Sequence, residues 1–295
     1  MSIYSNISVN KNKTWLIIIL FIFFITILSY IFGKASGYGL SMVGVAFIFS
    51  GIMSFSSYFY SDKLILSMSH AKTISKSQYP QLYRIVENLC IGSGTLMPKL
   101  YIINDTAPNA FATGRDPQHA VMCITSGLLE KLNKSELEGV IAHELSHIKN
   151  YDIRVMSIVV VLVGLITLLT DFFMRSLWYR NSDDNKNSST IFIVIGIALA
   201  IISPIIATLI QLAVSRKREL LADASAALLT RYPEGLASAL EKIGKDREPL
   251  EVANNATAHL FIANPFKGKG VNTWVSGLFN THPPIEERIK LLRSM

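Results

Sequence analysis

Charge is scarce in this 295-residue chain: Lys, Arg, Asp and Glu make up 17% of it, half the residues are hydrophobic, and the mean hydropathy is +0.37. An ordinary soluble domain carries about a quarter charged residues, so that class is excluded. Cysteine is nearly absent. Cys90 and Cys123 lie far apart and neither belongs to a C-x-x-C pair. A disulfide framework is excluded, no zinc role is expected for either thiol, and both read as buried free thiols in a reducing compartment. Acidic residues are in the minority: 28 Lys and Arg against 21 Asp and Glu leave a net charge of +7. The basic excess resembles no nucleic-acid module, and neither nucleic acid nor nucleotide is an expected partner. There is no internal repeat.

What the chain has instead is long apolar runs. Residues 15–32, 40–59, 155–174 and 191–214 contain one charged residue between them, Asp171. Each run is about 18 to 24 residues, enough to cross a bilayer core as a helix. Trp15, Tyr30, Tyr58 and Tyr60 stand near the ends of the first two, where interfacial aromatics belong. The first run exceeds a signal-peptide core and a second follows closely, so it reads as an anchor. Lys and Arg set the orientation. Lys11, Lys13, Lys63, Lys72, Lys76, Arg154, Arg216, Lys217 and Arg218 fall on one side. The other side carries Lys34 and a loop in which Asp183 and Asp184 dilute Arg175, Arg180 and Lys186. The bias predicts a multi-pass protein of the cell membrane with both termini in the cytoplasm. The net positive charge then faces anionic headgroups, making the lipid bilayer itself a partner.

Four segments follow: an amino-terminal tail and transmembrane hairpin over 1–62, a first soluble part over 63–152, a second hairpin over 153–214, and a second soluble part over 215–295. The soluble parts read as one domain interrupted by a hairpin. Helical patterns cover 79–89, 215–230 and 233–244, strand-like runs cover 99–103, 109–113 and 120–125, and 254–277 reads as a loop. The expected class is α+β, mainly helical: four transmembrane helices plus a cytoplasmic domain with a small sheet.

The chemistry is concentrated in His143-Glu144-Leu145-Ser146-His147. Histidines four apart on a helix share one face and can grip one metal ion, and the glutamate beside the first can take a proton from a water on that metal. A helix is predicted here, with Ser135 as N-cap and Glu138 completing a capping box. Apolar Leu137, Val140, Ile141, Leu145 and Ile148 form its buried face. A catalytic zinc site needs a third protein ligand. Glu219 is the candidate, with Asp223 one turn on to accept a hydrogen bond from a ligand imidazole. Spacing alone equally allows Glu219 to pair with a nearby Arg at a solvated helix start. The hairpin favours the ligand. Residue 155 lies about 12 Å of helix beyond His147, and Glu219 about 8 Å beyond residue 214, so a returning hairpin brings them together near the bilayer.

His143-Glu144-x-x-His147, then Ser215-Arg216-x-x-Glu219-x-x-Ala222-Asp223, then Thr281-His282-Pro283-Pro284-x-Glu286-Glu287-Arg288 closely resemble the HtpX family of bacterial membrane zinc metalloproteases. Asn109-Ala110-Phe111-Ala112-x-Gly114 is similar to that family's strand before the active-site helix. Leu220 departs from the pattern where relatives often carry an aromatic. The resemblance implies a zincin-like gluzincin fold, one Zn2+ per chain held by His143, His147 and Glu219, and cleavage of misfolded membrane-protein and unfolded polypeptide substrates. Glu144 is then the general base, and the resemblance makes His282 the oxyanion partner. Asn109, Ala110, Phe111, Ala112 and Thr113 would form an edge strand that pairs with extended substrate backbone. His70, His119 and His259 lack ligand spacing and read as surface or loop residues. Two competing readings are a CaaX-type prenyl-peptide protease, which needs a larger enclosed chamber, and a non-enzymatic scaffold with a structural zinc, which has no need of Glu144.

Overall fold

The computed structural model describes residues 3–35, 41–180, 216–254, 256–266 and 283–295. The apolar run 191–214, residues 181–190 before it and His282 lie outside them, as does half of the 254–277 loop.

Two long helices open the chain, α1 (Ile3–Ala35) and α2 (Ser41–Met68). They pack on each other and on α6 (Asp152–Arg180). Among the described residues one helical stretch, Ile7–Ile27, is long and apolar enough to cross a membrane. Trp15, Ile19 and Phe23 on α1, and Phe47 and Phe55 on α2, are each more than half exposed. These are outward faces of apolar helices that find no partner among the described residues.

A short strand β1 (Lys72–Thr73) leads into α3 (Pro80–Ser93). Pro80 starts α3, its fixed φ suiting the first helical position, and Gly94 ends it at φ +68 in the left-handed region. Then come β2 (Lys99–Ile103), β3 (Ala110–Thr113) and β4 (Val121–Thr125), all three in the places the sequence predicts. The sheet order is β1-β2-β4-β3, with β2 and β4 parallel and the outer pairs antiparallel. β3 is therefore an edge strand.

Period-two alternation sorts the sheet's side chains onto two cores. Ala110, Ala112, Met122 and Ile124 face one cluster with Val140, Leu145 and Leu236. Phe111, Val121 and Cys123 face the other, with Ile17, Ile65 and Val159. The first core holds the helices that carry the site: α5 (Lys134–Lys149), α7 (Arg216–Thr230), α8 (Pro233–Lys245) and α9 (Ile285–Arg293), with the short α4 (Ser126–Lys131) leading in. The second core is built against α1, α2 and α6.

The capping box of α5 sits two residues earlier than Ser135 and Glu138 suggest. Asn133 is the N-cap, its Oδ1 accepting from the Glu136 amide at 3.0 Å, and Glu136 Oε2 accepts from the Asn133 amide at 2.8 Å. The reason is tertiary. Glu136 is buried and also takes Lys242 Nζ at 2.7 Å and Ser238 Oγ at 2.8 Å from α8, whereas Glu138 is left to a 3.7 Å contact with Lys134. Gly139 makes that helix pairing possible, since a Cβ there would lie 2.7 Å from the Leu236 backbone nitrogen.

Candidate metal centre and active site

α5 presents His143, Glu144 and His147 from one face, and α7 brings Glu219 and Asp223 against it; all five are buried. The two His Nε2 atoms lie 3.2 Å apart. Glu219 Oε2 is 3.7 Å from His143 Nε2, and Glu219 Oε1 is 3.4 Å from His147 Nε2. These three side chains form a group able to hold a metal ion. Tetrahedral zinc with ligands at ~2.0–2.1 Å sets those ligands ~3.3–3.4 Å apart. The spacings of 3.2, 3.4 and 3.7 Å bracket that edge length.

The donor chemistry agrees as well. His143 Nδ1 is 2.9 Å from Asp223 Oδ1, and His147 Nδ1 is 3.0 Å from Asp152 Oδ2. An ionised carboxylate only accepts, so each Nδ1 carries a hydrogen and each Nε2 turns its lone pair inward. Two lone pairs facing each other at 3.2 Å in a buried site call for a cation between them, a metal ion or, in its absence, one proton.

Protonation follows the neighbours. Burial lowers His143 below its ordinary pKa despite Asp223. Burial pulls His147 the same way, but Glu219 and Asp152 outweigh it and raise the value to about 9. Free of metal, the pair thus carries one positive charge, on His147. Burial raises Asp223, but the Arg288 guanidinium more than offsets it and holds the carboxyl at about 2. Burial pushes Glu144 up to about 7.

Two parts of this site escaped the sequence reading. Asp152, the partner of His147, lies in the first turn of α6, where an acidic residue reads as helix capping. Arg288, fully buried, grips Asp223 with Nε at 2.8 Å and Nη2 at 2.7 Å. Arg288 stands in the last motif of the sequence but had no role assigned. A lone arginine following two glutamates reads as a solvated helix face.

The strand expected to receive substrate is an edge, yet part of that edge is occupied. The Asn109–Thr125 backbone bond fixes the pattern, so Phe111 and Thr113 point their backbone groups at β4 while Ala110 and Ala112 point away. The Ala110 carbonyl accepts from the Ile262 amide at 3.1 Å, and Asn109 Nδ2 donates to the Ala263 carbonyl at 3.1 Å. The Ala112 backbone acts to lower the Glu144 pKa, against the larger effect of burial. The Thr113 hydroxyl meets Ser157 at 2.7 Å.

The remaining histidines divide. His70 and His119 are exposed, as expected, and His119 bridges Asp116 and Arg115. His259 is not a surface residue. It is fully buried, in the turn Ala258–Leu260, with Nε2 3.4 Å from the Met156 carbonyl. The loop around it packs on α6, which its weak periodicity did not reveal. Cys90 and Cys123 are both buried free thiols.

The profile of Peptidase family M48 matches residues 76–295. The chain belongs to this peptidase family. A protease HtpX homolog of Dictyoglomus turgidum is 47% identical over 294 residues, covering 99% of this chain and 94% of that protein. Another, from Tropheryma whipplei, is 46% identical over 294 residues, covering 99% and 98%. The crystal structure of S. mikatae Ste24p aligns with a TM-score of 0.49 at 18% identity, over 91% of this chain and 62% of that one. The resemblance to HtpX proteases therefore extends over nearly the whole chain. This M48 peptidase is a protease of the HtpX-like type, with peptide or protein substrates, and the family does not favour the scaffold reading.

Proposed function

We propose that this M48 peptidase is a zinc-dependent, multi-pass endopeptidase of the cell membrane. Its catalytic domain faces the cytoplasm and cleaves misfolded or damaged membrane proteins and other unfolded segments. The observation that carries the reading is the convergence of His143 Nε2, His147 Nε2 and a Glu219 carboxylate oxygen within 4.8 Å of one another, beside Glu144.

His143, His147 and Glu219 would hold the zinc, with Asp223 orienting His143. When bound, zinc supplies Lewis acidity to a water and to the scissile carbonyl. Glu144 takes the water's proton and passes it to the leaving amine nitrogen. Burial raises the Glu144 carboxyl above its ordinary value, the direction that favours taking up a proton. His282 is assigned to the oxyanion of the tetrahedral intermediate. Residues Asn109 to Thr113 are assigned to the substrate backbone, which would pair with the outward groups of Ala110 and Ala112.

The membrane assignment rests on four apolar runs, the exposed faces of α1 and α2, and the HtpX relatives. The cytoplasmic orientation rests on the Lys and Arg bias. The test is zinc quantification paired with cleavage of casein and of a membrane protein, wild type against Glu144→Gln. Stoichiometric zinc in both and cleavage only by wild type is the expected result. Wild type without zinc, or an active Glu144→Gln, would overturn it.

A further inference from the structure

The Asp152 carboxylate that holds His147 is itself held from the first helix. Asn10, on α1 and 1% exposed, donates from Nδ2 to Asp152 Oδ1 at 2.8 Å and to the Asn150 carbonyl at 2.8 Å. Its own Oδ1 accepts from Arg218 Nη1 at 3.1 Å. Arg218 Nη1 reaches Asp152 Oδ1 as well, at 2.9 Å. The three side chains close a triangle. The free corner of Asp152, Oδ2, is the atom that meets His147 Nδ1 at 3.0 Å.

Each polar end of Asn10 is matched. The amide nitrogen meets two acceptors and the amide oxygen meets a cation. A buried amide with all ends satisfied fixes the plane of the group it touches. Asp152 has two oxygens. With Oδ1 pinned from two sides, Oδ2 is left in a single direction, toward the imidazole. That imidazole's Nε2 is one of the three converging metal-ligand atoms. Asn10 lies well outside the matched peptidase region, residues 76–295. It stands 142 positions from Asp152, on a helix whose apolar stretch begins at Ile7.

We propose that Asn10 is a positioning residue of the metal centre. It orients Asp152, and through it His147, so that the first helix is a structural part of the active site as well as an anchor. Arg218 shares the task. Counted for topology as one more cytoplasmic positive charge, it is a neutralising clamp on Asp152. The inference rests on the metal-centre reading above.

The test measures Co2+ affinity by chelator competition, the Co2+ absorption spectrum, and the melting temperature of the metal-free full-length protein in detergent or nanodiscs. Three variants are compared with wild type. Asn10→Leu keeps the branched four-atom outline and removes every polar end. Asn10→Ser is milder, too short to touch both partners at once. Ile17→Ala trims a residue on the same helix that is 1% exposed and packs among apolar neighbours, away from Asp152. The expected result is a roughly 10-fold weaker affinity in Asn10→Leu, the low end for loss of an outer partner of a metal ligand. Asn10→Ser should weaken it less, both Asn10 variants should shift the Co2+ bands, and Ile17→Ala should lower only the melting temperature. If neither Asn10 variant moves affinity or spectrum, Asn10 is only a pin for the helix. If Ile17→Ala moves both as far as Asn10→Leu does, the effect is general loosening and the proposal also fails. A wild type that binds no Co2+ overturns the metal-centre reading and this inference with it. Wild-type binding with an unchanged Asn10→Leu overturns this inference alone.

Discussion

Arg288 and Asp223 form a two-pronged pair at 2.7 and 2.8 Å with both side chains out of solvent, and the same carboxylate faces His143 Nδ1 at 2.9 Å. The pair links α9 to α7, the helix that carries Glu219. Removing the guanidinium leaves a buried carboxylate without its cation. Breaking a buried pair by removing one partner costs about 3–5 kcal/mol. Arg288→Met should therefore lose about that much in chemical unfolding. It should also weaken zinc binding in chelator competition, because Asp223 is no longer held. Unchanged stability and affinity would mean that the pair has no part in the site.

Glu144→Gln should abolish cleavage and keep zinc. Glu144 is not among the three converging ligand atoms, and loss of a general base costs roughly 10² to 10⁴ in rate. Activity within a few-fold of wild type would remove it from that role.

The ligand and its outer partner should separate cleanly. Glu219→Ala breaks a three-ligand set and should purify without zinc. Asp223→Asn keeps the set and should bind metal about 10 to 100 times more weakly. Full occupancy of Glu219→Ala in metal analysis would contradict the ligand assignment.

Glu136 gives a pH-dependent test away from the metal. Burial acts to raise its pKa, but Lys242, the Asn133 amide and Ser238 together hold it below the ordinary carboxylate value. A depressed folded-state pKa means stability that is present above the unfolded pKa and is lost as pH falls through the folded one. The wild-type advantage over Glu136→Gln should thus be constant above about pH 5 and shrink below about pH 4. Its size at neutral pH should be about 1.5–3 kcal/mol, as for hydrogen bonds to a charged group. A difference that grows on acidification would refute the arrangement.

The linear pattern of the chain carried the candidate ligands because helical spacing is local: His143 and His147 share a face wherever their helix goes. The strands at 99–103, 110–113 and 121–125 were legible for the same reason, being short apolar runs bounded by turn residues. Glu219 needed the hairpin argument to become a neighbour. What stayed hidden depends on contacts across the fold. Asn10, Asp152 and Arg218 are separated by up to 208 positions and meet only when α1 packs beside the α5–α6 junction. The capping box was misread because Asn133 and Ser135 both offer a cap with a glutamate three residues on. Only Lys242 and Ser238, from another helix, decide between Glu136 and Glu138. His259 lies in the loop, as its lack of pattern suggests, but its burial stayed hidden because a loop covered by one helix leaves no period to read.

The contact between Ile262 and Ala110 sets the last expectation. An extended substrate pairs with β3 through the outward groups of Ala110 and Ala112, two residues apart on one edge. The Ala110 carbonyl is already taken by the Ile262 amide. Neighbouring contacts hold the strap in place: Asn109 on the Ala263 carbonyl and Arg288 Nη1 on the Ile262 carbonyl at 3.1 Å. Toward Thr113 the strand runs into Ser157 of α6. A substrate that makes more than one backbone rung must therefore displace Ile262. In Glu144→Gln, which should bind without cleaving, hydrogen exchange can follow this directly. The segment around Ile262 should be protected in the free protein and exchange faster once an extended peptide is bound, while β3 stays protected. If the Ile262 segment keeps its protection with peptide bound, the substrate does not use the Ala110 edge.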